Sequence, residues 1–310
     1  MHTKVSLISV LIPCYNHQQY IQECIESIWA QNMQEVEIIA IDDGSTDSTF
    51  TVLEKLQVKS PIPMHISTRE NKGVTKTLNE ALHKAKGRYI TIIASDDKYY
   101  PNIFSSLIQN FQQDPSLKLL YANGRGFDGQ NIHSKVHHDA IVTLLQKSPC
   151  QIHRWLLENV PTPLLTQCAL FDKEMLLEIG GWDEDLRLDD WPLNIKIFDF
   201  LCQKGYQHLF IDTDMTLYRA HETQANRDSL KMYSIIAETI LKYTPKNRQS
   251  IFLTKQAISY AKNLYKKDCK QAQHLLHKTM QQNNIKRLHK LKILRVLLKY
   301  NYKYRKVCTK

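Results

Sequence analysis

Three pairs of adjacent aspartates are the residues of this 310-residue chain best suited to chemistry: Asp42-Asp43, Asp96-Asp97 and Asp189-Asp190. Neighbouring carboxylates repel each other unless a cation or a set of donors offsets the repulsion, so such a pair is either a helix cap or a site. Loops rich in carboxylate oxygen suit a hard divalent ion such as Mg²⁺ or Mn²⁺, which is commonly shared with the phosphates of a substrate. One pair alone reads as a cap. Two pairs at strand ends favour a binding edge, because Lys98-Tyr99-Tyr100-Pro101 delays the helix that Asp97 would otherwise cap. The acidic cluster from Asp183 to Asp190, taken alone, reads as a turn before a helix, with Asp190 as N-cap and Pro192 in the first turn.

The elements around these residues alternate. Apolar, β-branched runs at 5–12, 36–41, 64–68, 88–93 and 117–122 read as strands. Helical spacing fills 18–31, then runs from the caps at Ser45-Thr46-Asp47 to about 58, from Gly73 to about 86, and onward from Pro101. Repetition of strand and helix at this spacing predicts an α/β fold, a mostly parallel sheet flanked by helices, whose ligands bind outside the carboxyl ends of the strands. The stretch 123–227 is less regular, with a hairpin around Gly124–Gly129, a strand near 164–171 and a helix after Asp172. From Ser229 the pattern is helical, broken at Pro245 and restarted by an N-cap at Asp268. The expected divisions are 1–115, 116–228 and a helical extension over 229–310.

Six motifs follow one another in an order and spacing that resemble a known family. Val10-Leu11-Ile12-Pro13-Cys14-Tyr15-Asn16, Ile41-Asp42-Asp43-Gly44-Ser45-Thr46-Asp47, Arg69-Glu70-Asn71-Lys72-Gly73 and Ser95-Asp96-Asp97 are similar to the opening motifs of family-2 glycosyltransferases of the GT-A fold, of bacterial surface-polysaccharide type. Gly180-Gly181-Trp182-Asp183-Glu184 with Leu188-Asp189-Asp190-Trp191 resembles the acceptor-side segment and its acidic motif, and Tyr218-Arg219-Ala220-His221 the element near the end of the catalytic domain. The resemblance covers residues 5–225 and implies a Rossmann-like nucleotide-diphospho-sugar transferase. Residues 1–115 would then be the nucleotide-sugar half and 116–228 the acceptor half.

The same resemblance implies roles. Asp42 and Asp43 would recognise the nucleobase and ribose, with Pro13, Tyr15 and Arg69 beside them. Asp97, with Asp96, would hold the Mn²⁺ or Mg²⁺ that bridges the donor diphosphate, and His221 would add a metal or diphosphate contact. Ala94 stands where many relatives place a further acid, which makes Asp97 the expected ligand. Asp190 would be the general base; Pro192 occupies the place of a third acid in many relatives, so the division of roles with Asp189 stays open. The expected reaction transfers a sugar, with inversion, from a UDP-sugar to a glycan or a polyprenyl-diphosphate-linked acceptor in surface-polysaccharide synthesis. Chemistry agrees: a sugar hydroxyl is a weak nucleophile that must give up its proton to a carboxylate as it attacks, and a metal can stabilise the departing diphosphate. Two other readings are a catalytically inactive sugar-nucleotide binder and a basic nucleic-acid-binding protein. Gly124-Arg125-Gly126-Phe127-Asp128-Gly129 matches a dinucleotide fingerprint but opens no helix, and Gln151–Trp155 matches a synthase signature on the wrong side of Asp190; both read as coincidences.

The net charge of +10 conceals a division. Residues 1–230 carry 21 Lys+Arg against 29 Asp+Glu, a net −8, whereas residues 231–310 carry 20 against 2, a net +18. The acidic body argues against nucleic acid. The basic stretch holds a leucine stripe, Leu288, Leu291, Leu294 and Leu298, bordered by Lys292, Arg295, Lys299 and Lys303. The stripe reads as the face that seats a helical cap on the rest of the chain, and the excess charge suits an anionic membrane surface. No run is long enough to span a membrane, and residues 1–16 lack a secretory cleavage pattern. Seven scattered cysteines without a C-x-x-C pair argue against a disulfide framework and suit a reducing cytosol. The expected location is cytoplasmic, peripheral on the inner face of the membrane.

Overall fold

The apolar run near the start becomes β1 (Ile8–Cys14), in which every side chain but that of Pro13 is buried. A strand covered on both faces needs consecutive apolar residues, and this one has them. In the computed structural model, which describes residues 7–160, 164–221 and 228–304, the chain then alternates: α1 (Ile21–Trp29), β2 (Val36–Asp42), α2 (Thr49–Lys59), β3 (Met64–Thr68), α3 (Val74–Lys84) and β4 (Tyr89–Ile92). β1 pairs in parallel with β2 and β4, and β2 with β3, so the carboxyl ends of all four lie along one edge. Ile8, Val10, Ile12, Ile38 and Ala40 form the core beneath them with Ile21, Ile25 and Leu53 from α1 and α2. Each such isoleucine, valine or leucine contributes about 1.5–3 kcal/mol when fully buried.

The chain continues through β5 (Lys98–Tyr99), α4 (Phe104–Gln113), β6 (Leu117–Phe127), β7 (Ile132–Lys135), α5 (Asp139–Leu145), α6 (Pro149–Glu158), β8 (Ala169–Asp172), α7 (Lys173–Glu178), α8 (Asp190–Lys204) and β9 (Gln207–Arg219). Among the described residues the strands form one sheet in the order β3-β2-β1-β4-β8-β6-β9-β5, with β7 on β6. The expected hairpin is β6–β7, and its first two glycines lie inside β6 rather than in a turn. Not every neighbour is parallel. β8 runs antiparallel to both β4 and β6, which brings its start, preceded by the tight helical turn Thr166–Cys168, to the carboxyl end of β4.

The chain divides into two compact units: Met1–Trp155 with Thr162–His221, and Leu156–Pro161 with Glu222–Lys310. The second contains α9 (Ser229–Tyr243), α10 (Lys246–Leu264), α11 (Cys269–Gln281) and α12 (Arg287–Lys303). Asp228 accepts from the Leu230 and Lys231 N–H groups and Asp268 from that of Gln271, capping α9 and α11. Pro245 precedes α10.

Two expectations need correction. The leucine stripe does not pack: Leu288, Leu291, Leu294 and Leu298 are all exposed, and α12 is held instead by Ile293 and Leu297 on its other side. The sequence offers α12 two apolar faces, and the one with β-branched Ile293 wins the core. Cys150 and Cys202 are joined in a disulfide, Cα atoms 4.8 Å apart, linking α6 to α8. The 52-residue separation hid that pair, because only the fold sets the two helices together. None of the described helices is long and apolar enough to cross a membrane.

Candidate active site

Three loops meet beyond the ends of β1, β2 and β3. Asn16, with φ 55°, donates its N–H to Ser45 Oγ at 2.8 Å and accepts at Oδ1 from the Thr46 N–H at 2.8 Å. The His17 N–H reaches Thr49 Oγ1 at 2.9 Å. Asp42 accepts from Thr68 Oγ1 (2.8 Å), from the Ser45 N–H (3.2 Å) and from Ser45 Oγ. Asp43 pairs with the Arg69 guanidinium and accepts from the N–H groups of Lys72 (2.8 Å) and Gly73 (2.9 Å), at the start of α3. Arg69 extends from there to Glu80 Oε2 and Thr77 Oγ1, both at 2.8 Å. Gly44 sits at φ +76°, where a Cβ would lie 2.8 Å from the Asn71 nitrogen. Asp42 and Asp43 therefore lock the loops together rather than cap α2, whose N-cap is Ser48, while Tyr15 is exposed and Pro13 is half-buried.

The turn after β4 gathers a second group. Asp96 Oδ2 lies 2.8 Å from His221 Nε2 and 3.8 Å from His17 Nε2. Ser95, fully buried, holds the other side of the His17 ring, its Oγ 2.7 Å from Nδ1, so that Nε2 faces Asp96. One ligand atom from each of His17, Asp96 and His221 falls within 4.8 Å of the others. Burial lowers the His17 pKa, against the pull of the Asp96 charge. Two imidazole nitrogens and a carboxylate oxygen are a donor set that first-row divalent ions accept, so these residues fit a metal. Asp97 is not one of the three. Its Oδ1 accepts the Arg219 N–H at 2.6 Å, and burial, with the charge of Asp96 second, raises its carboxyl well above the usual range. Arg219 fastens the end of β9 here: its Nε donates to the Asp96 carbonyl at 2.7 Å, Nη2 pairs with Glu23 at 3.0 Å, and the guanidinium lies over the Tyr20 and Phe127 rings.

The third pair reaches the same edge through β8. The Gln167 side chain accepts from the Ala94 N–H at 3.3 Å, and its carbonyl accepts from Thr216 Oγ1 at 2.7 Å. Its neighbour Thr166 donates both its N–H (3.0 Å) and its hydroxyl to Asp190 Oδ1. Asp190 is the first residue of α8, preceded by Asp189, and the second Asp190 oxygen carries no hydrogen bond among the described residues. Burial, then the Asp189 charge, push the Asp190 pKa up to about 7; burial likewise raises Asp189. The two clusters adjoin through this turn, since Thr166 holds Asp190 while Gln167 holds Ala94, two residues before Asp96. Burial first, and then the negative charges nearby, raise the Tyr218 hydroxyl pKa.

Sequence reasoning did not assign roles to His17, Ser95, Thr166, Arg219 or Tyr218. For His17 a signal existed: it follows β1 directly, on the edge where the acidic loops lie. Thr166 and Tyr218 depend on the course of β8 and β9, which polar residues such as Asp212 and Asp214 disguise.

With this geometry in hand, comparison gives the family. A model of glycosyl transferase family 2 matches residues 9–180, more than half of the chain, and the chain belongs to that family. It is similar to chondroitin synthase of Escherichia coli, 35% identical over 125 residues, 40% of this chain and 18% of that protein's length. Among solved structures it resembles Staphylococcus aureus TarS 1–349 in complex with UDP-GlcNAc, with TM-score 0.63, 17% identity, and 97% and 92% of the two chains covered. It also resembles the mannosyltransferase PcManGT of Pyrobaculum calidifontis in complex with GDP-Man and Mn²⁺, with TM-score 0.59, 16% identity, and 96% and 86% covered. The fold is that of the GT-A glycosyltransferases.

Proposed function

We propose that the protein transfers a sugar, with inversion, from a nucleoside-diphosphate sugar to a hydroxyl of a glycan or a polyprenyl-diphosphate-linked acceptor in polysaccharide synthesis. A UDP-sugar is the favoured donor. The observation that carries this reading is the meeting of Asp96-Asp97 and Asp189-Asp190 at one edge: Thr166 clasps Asp190, and Gln167, the next residue, accepts from the N–H of Ala94, two residues before Asp96. In-line displacement needs that arrangement, because the leaving diphosphate and the incoming hydroxyl lie on opposite sides of the reacting carbon.

In this reading Asp190 is the base. Its Oδ1 is fixed by Thr166, and Oδ2 is left to accept the acceptor's proton. Its high pKa gives it the basicity that a carboxylate ordinarily lacks near neutrality. Asp189 supports it by charge. The nucleoside would lie against Pro13 and Tyr15, with Asp42, Asp43 and Arg69 forming a preorganised floor, and residues 1–115 and 116–228 serving donor and acceptor respectively. Asp96, His221 and His17 would hold Mn²⁺ or Mg²⁺, and Asp97 passes from expected ligand to the support that fixes Arg219. When bound, such an ion offsets the charge that develops on the departing diphosphate. The basic second unit would place the enzyme on the anionic cytoplasmic face of a membrane, where a polyprenyl-linked acceptor resides.

The direct test incubates the protein with a panel of nucleotide sugars and Mn²⁺ and measures nucleotide release, alongside thermal shift. Release or stabilisation by one donor is expected. Binding without release under any acceptor condition would leave an inactive sugar-nucleotide binder, and stabilisation by no nucleotide would overturn the reading.

A further inference from the structure

We propose that the exposed face of α12 docks on a bilayer containing anionic lipid, its leucines at the boundary of headgroup and acyl chain and its cations among the phosphates. The inference rests on the reading that the protein works at a membrane, and it names the surface that does so. At 100° per residue, Leu294, Arg287, Leu298, Leu291, Tyr302, Arg295 and Leu288 succeed one another around one side of the helix, and Lys299, Lys292 and Lys303 border it. Leu288, Leu291, Leu294 and Leu298 are 73%, 55%, 44% and 65% exposed, and Tyr302 is 85% exposed. Ile293 and Leu297, on the opposite side, are the buried residues of α12. The outer leucines are therefore surplus to the packing of their own unit. An aligned row of exposed leucines on a soluble surface marks a contact face.

Charge selects the occupant. The lysine border continues into a groove of about 300 Å³ between α10 and α12, lined by Ile251, Lys255, Ile258, Lys262, His289 and Lys292, among others. Cations at the rim of an apolar stripe, with their own aliphatic stems alongside it, match a layer of phosphates above hydrocarbon. A second copy would set one stretch of net +18 against another. A nucleic acid would use the lysines and leave the leucines in water.

The test is co-sedimentation of the full chain with vesicles of phosphatidylcholine, with and without phosphatidylglycerol, at about 0.1 M salt. Wild type is expected to bind the anionic vesicles at least tenfold more tightly than the neutral ones. Leu291→Glu/Leu294→Glu is expected to lose at least tenfold while keeping its circular dichroism and Tm, because neither side chain is in the core. Lys292→Glu/Lys299→Glu should lose binding in a salt-dependent way, and Leu294→Trp should shift its emission to the blue on anionic vesicles. Wild type that ignores anionic vesicles removes the membrane reading altogether. Wild type that binds, with the leucine double variant binding equally, removes only this face. Self-association abolished by the leucine variant, or tighter binding to duplex oligonucleotide than to vesicles, overturns the proposal in favour of those partners.

Discussion

At the carboxyl edge of the sheet, Asp42, Asp43, Asp96 and Asp97 are each less than a tenth exposed, whereas on α12 four leucines stand in solvent. The first region buries charge and the second exposes hydrocarbon, each against the usual sorting of residues between core and surface. The sheet edge tolerates its carboxylates because donors surround them: the Lys72 and Gly73 amides and Arg69 at Asp43, Ser45 and Thr68 at Asp42, the Arg219 amide at Asp97, and imidazoles at Asp96. Among the described residues no comparable partner covers the leucines. On the proposed readings, the first region serves a small molecule and the second a large surface.

The contrast can be broken most sharply at Asp190. Asp190→Asn is expected to lower kcat about a thousandfold, with donor affinity within threefold of wild type, because it removes the proton acceptor without touching the donor side. Substantial residual turnover would move the role to Asp189. The same variant should be at least as stable as wild type at pH 8. A carboxyl raised to about 7 in the fold holds its proton better there than in the unfolded chain, so the ionised native form loses stability as pH rises towards 7.

A buried group behind the turn that clasps Asp190 gives the next largest effect. His137 is fully buried, its Nδ1 3.0 Å from the Ala122 carbonyl and its Nε2 accepting the Leu165 N–H, and burial lowers its pKa to about 4. A depressed histidine contributes stability that is complete above the unfolded value near 6.5 and is lost as pH falls towards 4. The expected loss is roughly 3 kcal/mol, read by denaturant titration, and His137→Gln should flatten the slope. On the donor side, Asp96→Ala should weaken Mn²⁺ binding by calorimetry about a hundredfold, and His17→Ala about tenfold. Equal affinity in His17→Ala would leave that imidazole as a neighbour only. The smallest effect is on the pH profile: kcat/KM should fall about tenfold per unit below pH 7 and level off above it, as Asp190 takes up its proton.

Much of residues 1–115 was legible in the sequence because β1, β2 and β4 are buried on both faces. β2 and β3 coincide with their apolar runs to within one residue, and the acidic pairs fall at the ends of β2 and β4. The stretch 116–228 resisted for a physical reason. β9 is a thirteen-residue, half-buried strand interrupted by aspartates, and β8 is only four residues long, so periodicity says little about either. At the site, the residue types were visible but their pairing was not. The resemblance pointed to Asp97, with Asp96, as the ligands because Ala94 replaces a further acid, whereas the imidazoles gather at Asp96, and His17 enters from a loop 79 residues earlier. The leucines of α12 misled because helical spacing identifies an apolar face without saying what covers it.

The reversal of β8 gives the stretch from Thr166 to Asp190 an independence of its own. The chain leaves the carboxyl edge at Thr166, runs down β8, turns through α7 and returns to the same edge at Asp190, where Thr166 clasps it. That circuit is closed at its mouth. Its far part can lengthen, shorten or change composition while the clasp keeps Asp190 in register with Ala94 and Gln167, so on the proposed reading a lineage could exchange one acceptor for another without rebuilding the loops around Asp42 and Asp43.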